Sequence, residues 1–312
     1  MADFEISGVE SEALCRFINE CIYSLPGTTA HRDTFTILLT GSRSIGAHAP
    51  SSDVDIDVLC PRSAYQSVHR AAVESGMIHT DLSFFYVLPG DDWYRYFGRQ
   101  KGRPHFSLAP LEEVERQFGE YDDVWLWIWT NAAVIADPSG QFQRIRDGFT
   151  GYPKDVLVRK IKYRWLLDAY WTIDVYPHNH AGNHDLPAAA ASLANAVTEL
   201  LRFFFLVEGK PFPYAEKLMA LAAGTELGRE FCPMLQRVVD LVVGRADPGR
   251  DTWARLDSAF ELLACSDLSP ECRRLENACG RAMIAAGVPE KWVEADYANI
   301  DELLLGRLGP VP

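Results

Sequence analysis

Apolar positions change their period along this chain. Up to about residue 110, short apolar runs with strand character alternate with helical stripes; beyond it, helical spacing dominates. Residues 8–24 bring Ala13, Phe17, Cys21 and Ile22 near one stripe and predict a helix. "TFTILLTGS" (34–42) predicts a strand running into a glycine turn, and "VDIDVLCP" (54–61) a second strand closed by Pro61. Residues 63–75 read as a helix, "HTDLSFFYVLPG" (79–90) as a third strand stopped by Pro-Gly, and "RPHFSLAP" (103–110) as a short fourth strand.

The later helical patterns cover 110–119, 121–135, 154–175, 186–208, 214–222, 225–243, 251–264 and 269–285. In "ELLRFFFLVEG", Leu200, Phe203, Phe204 and Val207 keep the i, i+3, i+4, i+7 stripe, and Gly209 is a natural stop. The fold class is therefore α+β: an N-terminal α/β domain with a short mixed sheet over 1–150, then an all-helical domain over 151–312. "ADPSGQF" (136–142) or "TGYPKD" (150–155) marks the boundary, and a cleft between the two parts is a natural ligand site.

Composition narrows the function. The chain is 48% hydrophobic and 23% charged, a globular balance, and its formal net charge is −13. Such acidity disfavours general nucleic-acid binding and favours a small substrate, or one recruited through a metal. The N-terminus lacks a basic segment followed by an apolar one, and no uninterrupted apolar run reaches 18 residues, so a cytoplasmic protein with no membrane partner is expected. "VWLWIWTNAAVIA" (124–136) is too short to span and reads as a buried helix, with Trp125, Trp127 and Trp129 in the core. The seven cysteines, at 15, 21, 60, 232, 265, 272 and 279, form no C-x-x-C pair and read as reduced core thiols.

The chemistry lies in the second strand. Asp53, Asp55 and Asp57 occupy every second position, so a strand turns them to one face, where they repel each other unless a cation sits among them. Two carboxylates at i and i+2 suit a pair of magnesium ions ~3.5–4 Å apart, the arrangement that clamps both oxygens of an in-line phosphoryl or nucleotidyl displacement. The preceding turn complements it. Gly41 lets the backbone approach a ligand, the amides and hydroxyls of Ser42 and Ser44 can cradle a triphosphate, Arg43 adds charge, and Gly46 returns the chain so that Ser52 and Asp53 lie beside Gly41. Asp81, on the next predicted strand, is placed to complete the metal cluster or to take the proton of an attacking hydroxyl.

Gly41-Ser42, Asp53-Val54-Asp55 and Asp81 together resemble the nucleotidyltransferase superfamily, whose fold is shared by DNA polymerase beta and by aminoglycoside, lincosamide and minimal nucleotidyltransferases. The motif covers 41–81 and a looser likeness about 30–220; Ser44-Ile45-Gly46 replaces the Ala-Arg-Gly of many members, with the arginine at Arg43. The resemblance implies two Mg2+ ions, with Mn2+ as an alternative, held by Asp53, Asp55 and Asp81. It implies a nucleoside triphosphate, ATP, as donor and transfer of its nucleotide to a hydroxyl of a small-molecule acceptor, with release of pyrophosphate. "NAAVIADPSGQFQRI" (131–145) looks like the segment after the family's catalytic sheet, and "FFFLVEGKPFPYAEKL" (203–218) like a helix-turn of its helical domain. There Lys217 would reach the β- and γ-phosphates and Tyr214 would stack on a base or line the acceptor pocket.

Other features have plainer readings. Asp57 lies deeper in its strand and is expected to be structural, pairing with a nearby Arg or His. The loop "YPHNHAGNHDLP", with His178, His180 and His184, reads as polar rather than metal-binding, and His105 is a lesser candidate for the site. The basic run "RKIKYR" (159–164) is the one stretch that would serve a macromolecular acceptor. Transfer to RNA or protein, as in toxin systems, and a non-catalytic nucleotide-binding regulator or antitoxin are the competing functions.

Overall fold

The computed structural model describes residues 8–49, 51–75, 94–97, 102, 104–181, 183–263 and 269–309. The chain divides into two compact units, Met1–Thr150 and Gly151–Pro312. Their elements make an α+β protein: a mixed sheet with helices in the first unit, and helices throughout the described part of the second.

The first unit contains α1 (Gly8–Phe17), β1 (Thr36–Thr40), α2 (Gly41–Ser44), β2 (Val54–Cys60), α3 (Arg62–Glu74), α4 (Tyr94–Phe97), β3 (Pro104–Pro110), α5 (Leu111–Gly119), α6 (Asp123–Asn131), β4 (Ala133–Ala136) and α7 (Gln141–Gly148). The strands lie in the order β3-β2-β1-β4. β1 is antiparallel to β2 and β4, while β2 and β3 run parallel. One face carries Ile37 and Leu39 of β1, Val54, Ile56 and Val58 of β2, and Phe106 and Leu108 of β3, all buried in one cluster with residues of α1 and α3. α3 contributes Ala64, Val68 and Ala72, one residue per turn on a single stripe. Phe17 of α1 is fully buried and meets the Tyr96 ring edge-on, with centroids 5.3 Å apart. The same alternation turns Asp55 and Asp57 to the opposite face.

Several expectations are corrected. The first helix gives way to a π turn at Ile18–Ile22. Residues 124–136 are not one helix. α6 ends at Asn131, whose side-chain amide turns back onto the Trp127 carbonyl at 2.8 Å, and β4 then forms an edge strand with the β-branched Val134 and Ile135. Trp127 and Trp129 are buried, but Trp125 is 39% exposed and stacks on Trp129. α7 was not foreseen. The third predicted strand, 79–90, lies outside the described residues. Among the described residues five cysteines are buried and Cys15 is exposed. Burial, then the Glu112 charge, pushes the Cys60 thiol up to about 12, so it stays protonated.

The second unit contains α8 (Lys154–Ala169), α9 (Leu186–Leu206), α10 (Ala215–Ala222), α11 (Glu226–Val242), α12 (Thr252–Leu263), α13 (Pro270–Ala285), α14 (Glu290–Glu294) and α15 (Ile300–Leu304), the last two unforeseen. The histidine segment, expected as a loop, is π-helical at Pro177–Ala181. α9, though interrupted by polar residues, is long and apolar enough by length and composition to cross a membrane. Yet 67% of its most apolar window is buried, and Leu200, Leu201, Phe203, Phe204 and Phe205 are buried right around it, which fits the core helix of a bundle.

α8 and α9 enclose charged groups. Glu199 receives Arg164 Nη1 on one oxygen at 2.8 Å and Arg202 Nη1 on the other at 2.7 Å. Asp168, 4% exposed, has one carboxylate oxygen without a hydrogen-bond partner among the described residues. Burial, and then the carboxylates of Glu199 and Glu276, push its pKa well above the ordinary aspartate range, so it is held neutral. The unfolded chain ionises this group at the ordinary value. Its contribution to stability is therefore full below that value and is lost as pH rises toward the folded one. Asp168→Asn should remove this loss. In urea unfolding, the variant's stability relative to wild type should increase with pH above about 4, by up to about 1.4 kcal/mol per pH unit inside the window.

Candidate active site

The site is built where β1 ends. Thr40 pairs with Asp55 at the last β1–β2 register position. The chain then turns through Gly41, with φ +67°, into the single helical turn α2. A Cβ placed on Gly41 would fall 2.1 Å from Asp55 Oδ2 and 3.0 Å from its Cγ. The Asp55 carboxylate therefore lies directly on the Gly41 main chain, and glycine is required by this approach as well as by the left-handed conformation. Gly41 was expected to let the main chain approach a ligand; the group it meets in this structure is the Asp55 carboxylate.

The other turn residues take distinct roles. Ser44 Oγ donates to the Gly41 carbonyl at 2.9 Å, and Ser42 is buried. Arg43, expected to face phosphate, is 6% exposed; its Nε donates to the Asp53 carbonyl at 3.0 Å and its Nη2 to the Ser52 carbonyl at 2.8 Å. Ser52 closes a turn, its Oγ accepting the Ala49 amide at 2.9 Å. Gly102 was not singled out by sequence reasoning. A Cβ there would lie 2.2 Å from Ser52 C and 2.3 Å from Asp53 N, so its main chain presses on the Ser52–Asp53 peptide. A glycine two residues ahead of a proline-led strand was the available sign.

Asp53 is exposed and Asp55 half-buried. Asp57 is engaged from both sides: Thr40 Oγ1 of β1 donates to its Oδ2 at 2.7 Å, and Ser107 Oγ of β3 donates to its Oδ1. Hydroxyls of both neighbouring strands are thus among its partners, where an Arg or His was expected. Both edges of β2 are occupied, by β1 and β3, and the residue in register with Asp55 on β3 is His105. Asp81 lies outside the described residues. Tyr214 and Lys217 belong to the second unit, Tyr214 just before α10 and Lys217 half-buried in its first turn.

Asp53 and Asp55 offer oxygen donors only. Among the described residues no group of three His, Cys, Asp or Glu side chains forms a metal-sized cluster. A divalent ion held by this pair would complete its shell with water and phosphate oxygens, the manner in which magnesium is held, so the donor set fits that ion.

Comparison with known proteins adds outline. A family model described as a domain of unknown function, DUF4037, matches residues 120–218. That is less than half of the chain, and Gly41 to Asp55 lie outside it. The search of curated proteins gave no match. Among solved structures the chain is similar to a nucleotidyltransferase-like protein from Exiguobacterium sibiricum 255-15, with 11% identity, a TM-score of 0.42, and coverage of 88% of this chain and 77% of that one. A likeness of that size fixes neither fold nor activity, and the functional reading rests on the geometry of β1 and β2.

Two variants separate the aspartates. Gly41→Ala should cost about 1–2 kcal/mol in urea unfolding, from the left-handed backbone alone. It should also weaken Mn2+ binding, because the methyl displaces the Asp55 carboxylate. Asp57→Ala leaves the Thr40 and Ser107 hydroxyls without their acceptor; it should cost about 1–3 kcal/mol while the folded protein still binds Mn2+.

Proposed function

We infer that this chain is a metal-dependent nucleotidyltransferase that moves the nucleotide of a nucleoside triphosphate, ATP by preference, to a hydroxyl of a small acceptor and releases pyrophosphate. One observation carries the reading: the Asp55 carboxylate is set on the main chain of a Gly-Ser turn, with Asp53 two residues before it at the mouth of the same strand. A turn of this kind suits a polyphosphate, and a carboxylate pair beside it suits the cation that polyphosphate brings.

Asp53 and Asp55 would hold magnesium. When bound, the ion supplies neutralisation of the triphosphate charge and orientation of the α-phosphate. Gly41 leaves room for the carboxylate; Ser42 and Ser44 line the turn that the phosphates would approach. The acceptor hydroxyl attacks the α-phosphorus in line, a P–O bond to the acceptor forms, and the bond to the pyrophosphate oxygen breaks. Asp81 is the residue that the resemblance assigns to the departing proton, and Tyr214 and Lys217 those it assigns to base and phosphates.

A small acceptor is preferred over RNA or protein because Lys160, Lys162 and Arg164 of the candidate basic run are engaged or buried within their own unit. Arg164 is bound to Glu199, Lys160 is 1% exposed, and Lys162 lies 4.6 Å from the centroid of the Trp292 ring and 3.8 Å from Glu302. The net charge of −13 argues the same way.

Incubation with labelled triphosphates, Mg2+ and a panel of small hydroxylated acceptors tests the reading. Pyrophosphate release that depends on an acceptor is expected, and Asp55→Asn should lower it at least about 100-fold while circular dichroism stays unchanged. Label on RNA or protein would move the acceptor to a macromolecule. Nucleotide binding without release would make the chain a regulator, and an Asp55→Asn protein as active as wild type would remove the metal role.

A further inference from the structure

The alternation along β2 orients Asp55 and Asp57 but not Asp53, which precedes the strand. Among the described residues the last ladder pairs fall before Asp53 on both sides. The last pair toward β1 is Thr40 with Asp55, and the last pair toward β3 is Val54 with Pro104, which has no N–H to donate. Main-chain carbonyls at such a place need another donor. Arg43 provides it twice, through Nε to Asp53 O and Nη2 to Ser52 O, from a side chain 6% exposed.

This pair of bonds has a geometric consequence. Successive carbonyls of an extended strand point to opposite edges. Here two successive carbonyls face one guanidinium at the entry to β2. The planar fork of arginine suits two acceptors at once; the single ammonium of a lysine does not. Gly102 packs its main chain on the same peptide, closer than any Cβ would allow. The Ser52–Asp53 peptide is held by hydrogen bonds and by contact.

We propose that Arg43 is a positioning residue for the metal site: with Gly102 it fixes the main chain of Asp53, so that the Asp53 carboxylate meets the same cation as Asp55. This rests on the metal reading above and gives Arg43 a different task from phosphate binding. The turn α2 then sets both aspartates, Asp55 through the Gly41 main chain and Asp53 through the Arg43 side chain. Without Arg43 the Ser52–Asp53 peptide loses both donors, and Asp53 is no longer held toward the cation of Asp55.

Mn2+ binding, followed by loss of the free-ion electron paramagnetic resonance signal, tests this without any acceptor or turnover. Wild type, Asp55→Asn, Arg43→Ala, Arg43→Lys and Gly102→Ala are compared, with circular dichroism and thermal unfolding establishing that each is folded. Wild type should bind Mn2+ and Asp55→Asn should not. Arg43→Ala and Gly102→Ala should each weaken binding about 10–100-fold, as loss of groups that orient metal ligands does. Arg43→Lys should recover part of that loss. A guanidinium salt at millimolar concentration should restore Mn2+ binding to Arg43→Ala by filling the space left behind. If Arg43→Ala does not fold, Arg43→Lys and Gly102→Ala decide. Folded Arg43 and Gly102 variants that bind Mn2+ as wild type does, even with a lower melting temperature, overturn the positioning role and leave the metal reading standing. A wild-type protein that binds no Mn2+ overturns the metal reading, and the positioning role with it.

Discussion

A carboxylate resting on bare main chain is the constraint on which the rest of the first unit depends. Asp55 can lie against Gly41 only if residue 41 has no Cβ, if β1 ends at Thr40, and if β2 runs antiparallel in the register that pairs Thr40 with Asp55. A slip of one residue would turn Asp55 and Asp57 into the apolar cluster and Ile56 out of it. Burial of Val54, Ile56 and Val58 against Phe17, Val68 and Phe106 therefore secures the position of the acidic face as well as the core. The apolar and polar faces of β2 are one decision, made by the pleat.

The protein handles crowded or buried carboxylates in different ways. Asp57 sits between two hydroxyl donors, from β1 and β3, so its charge is solvated by the strands on either side. Glu199 is matched by two arginines. Asp168 lacks such matching and is held as the neutral acid. Asp53 and Asp55 retain access to water, Asp53 most of all, which is where an exchangeable cation can enter.

The spacing of residues by itself determined a good deal. Period-two alternation gave β2 and its acidic face. Apolar stripes placed α3, α5 and α8 to α13 within a few residues, and the change of period near residue 110 separated sheet-bearing from helical sequence. The Gly-Ser turn and the Asp-x-Asp beyond it were legible because each residue type has a narrow physical use. Less legible was anything decided by partners far along the chain. The same apolar run supplied α6 and the edge strand β4, because β1 had an edge open to Val134 and Ile135. Local periodicity cannot report such an edge.

The tertiary structure alone showed what Arg43 and Gly102 touch. As sequence, Arg43 is a cation next to a phosphate-type turn, and Gly102 is a glycine in a polar stretch. What they touch depends on which carbonyls the Arg43 guanidinium reaches and which peptide passes within contact of Gly102. Those contacts form only when α2, the entry to β2 and residue 102 meet in the assembled sheet, and no window of residues along the chain contains them.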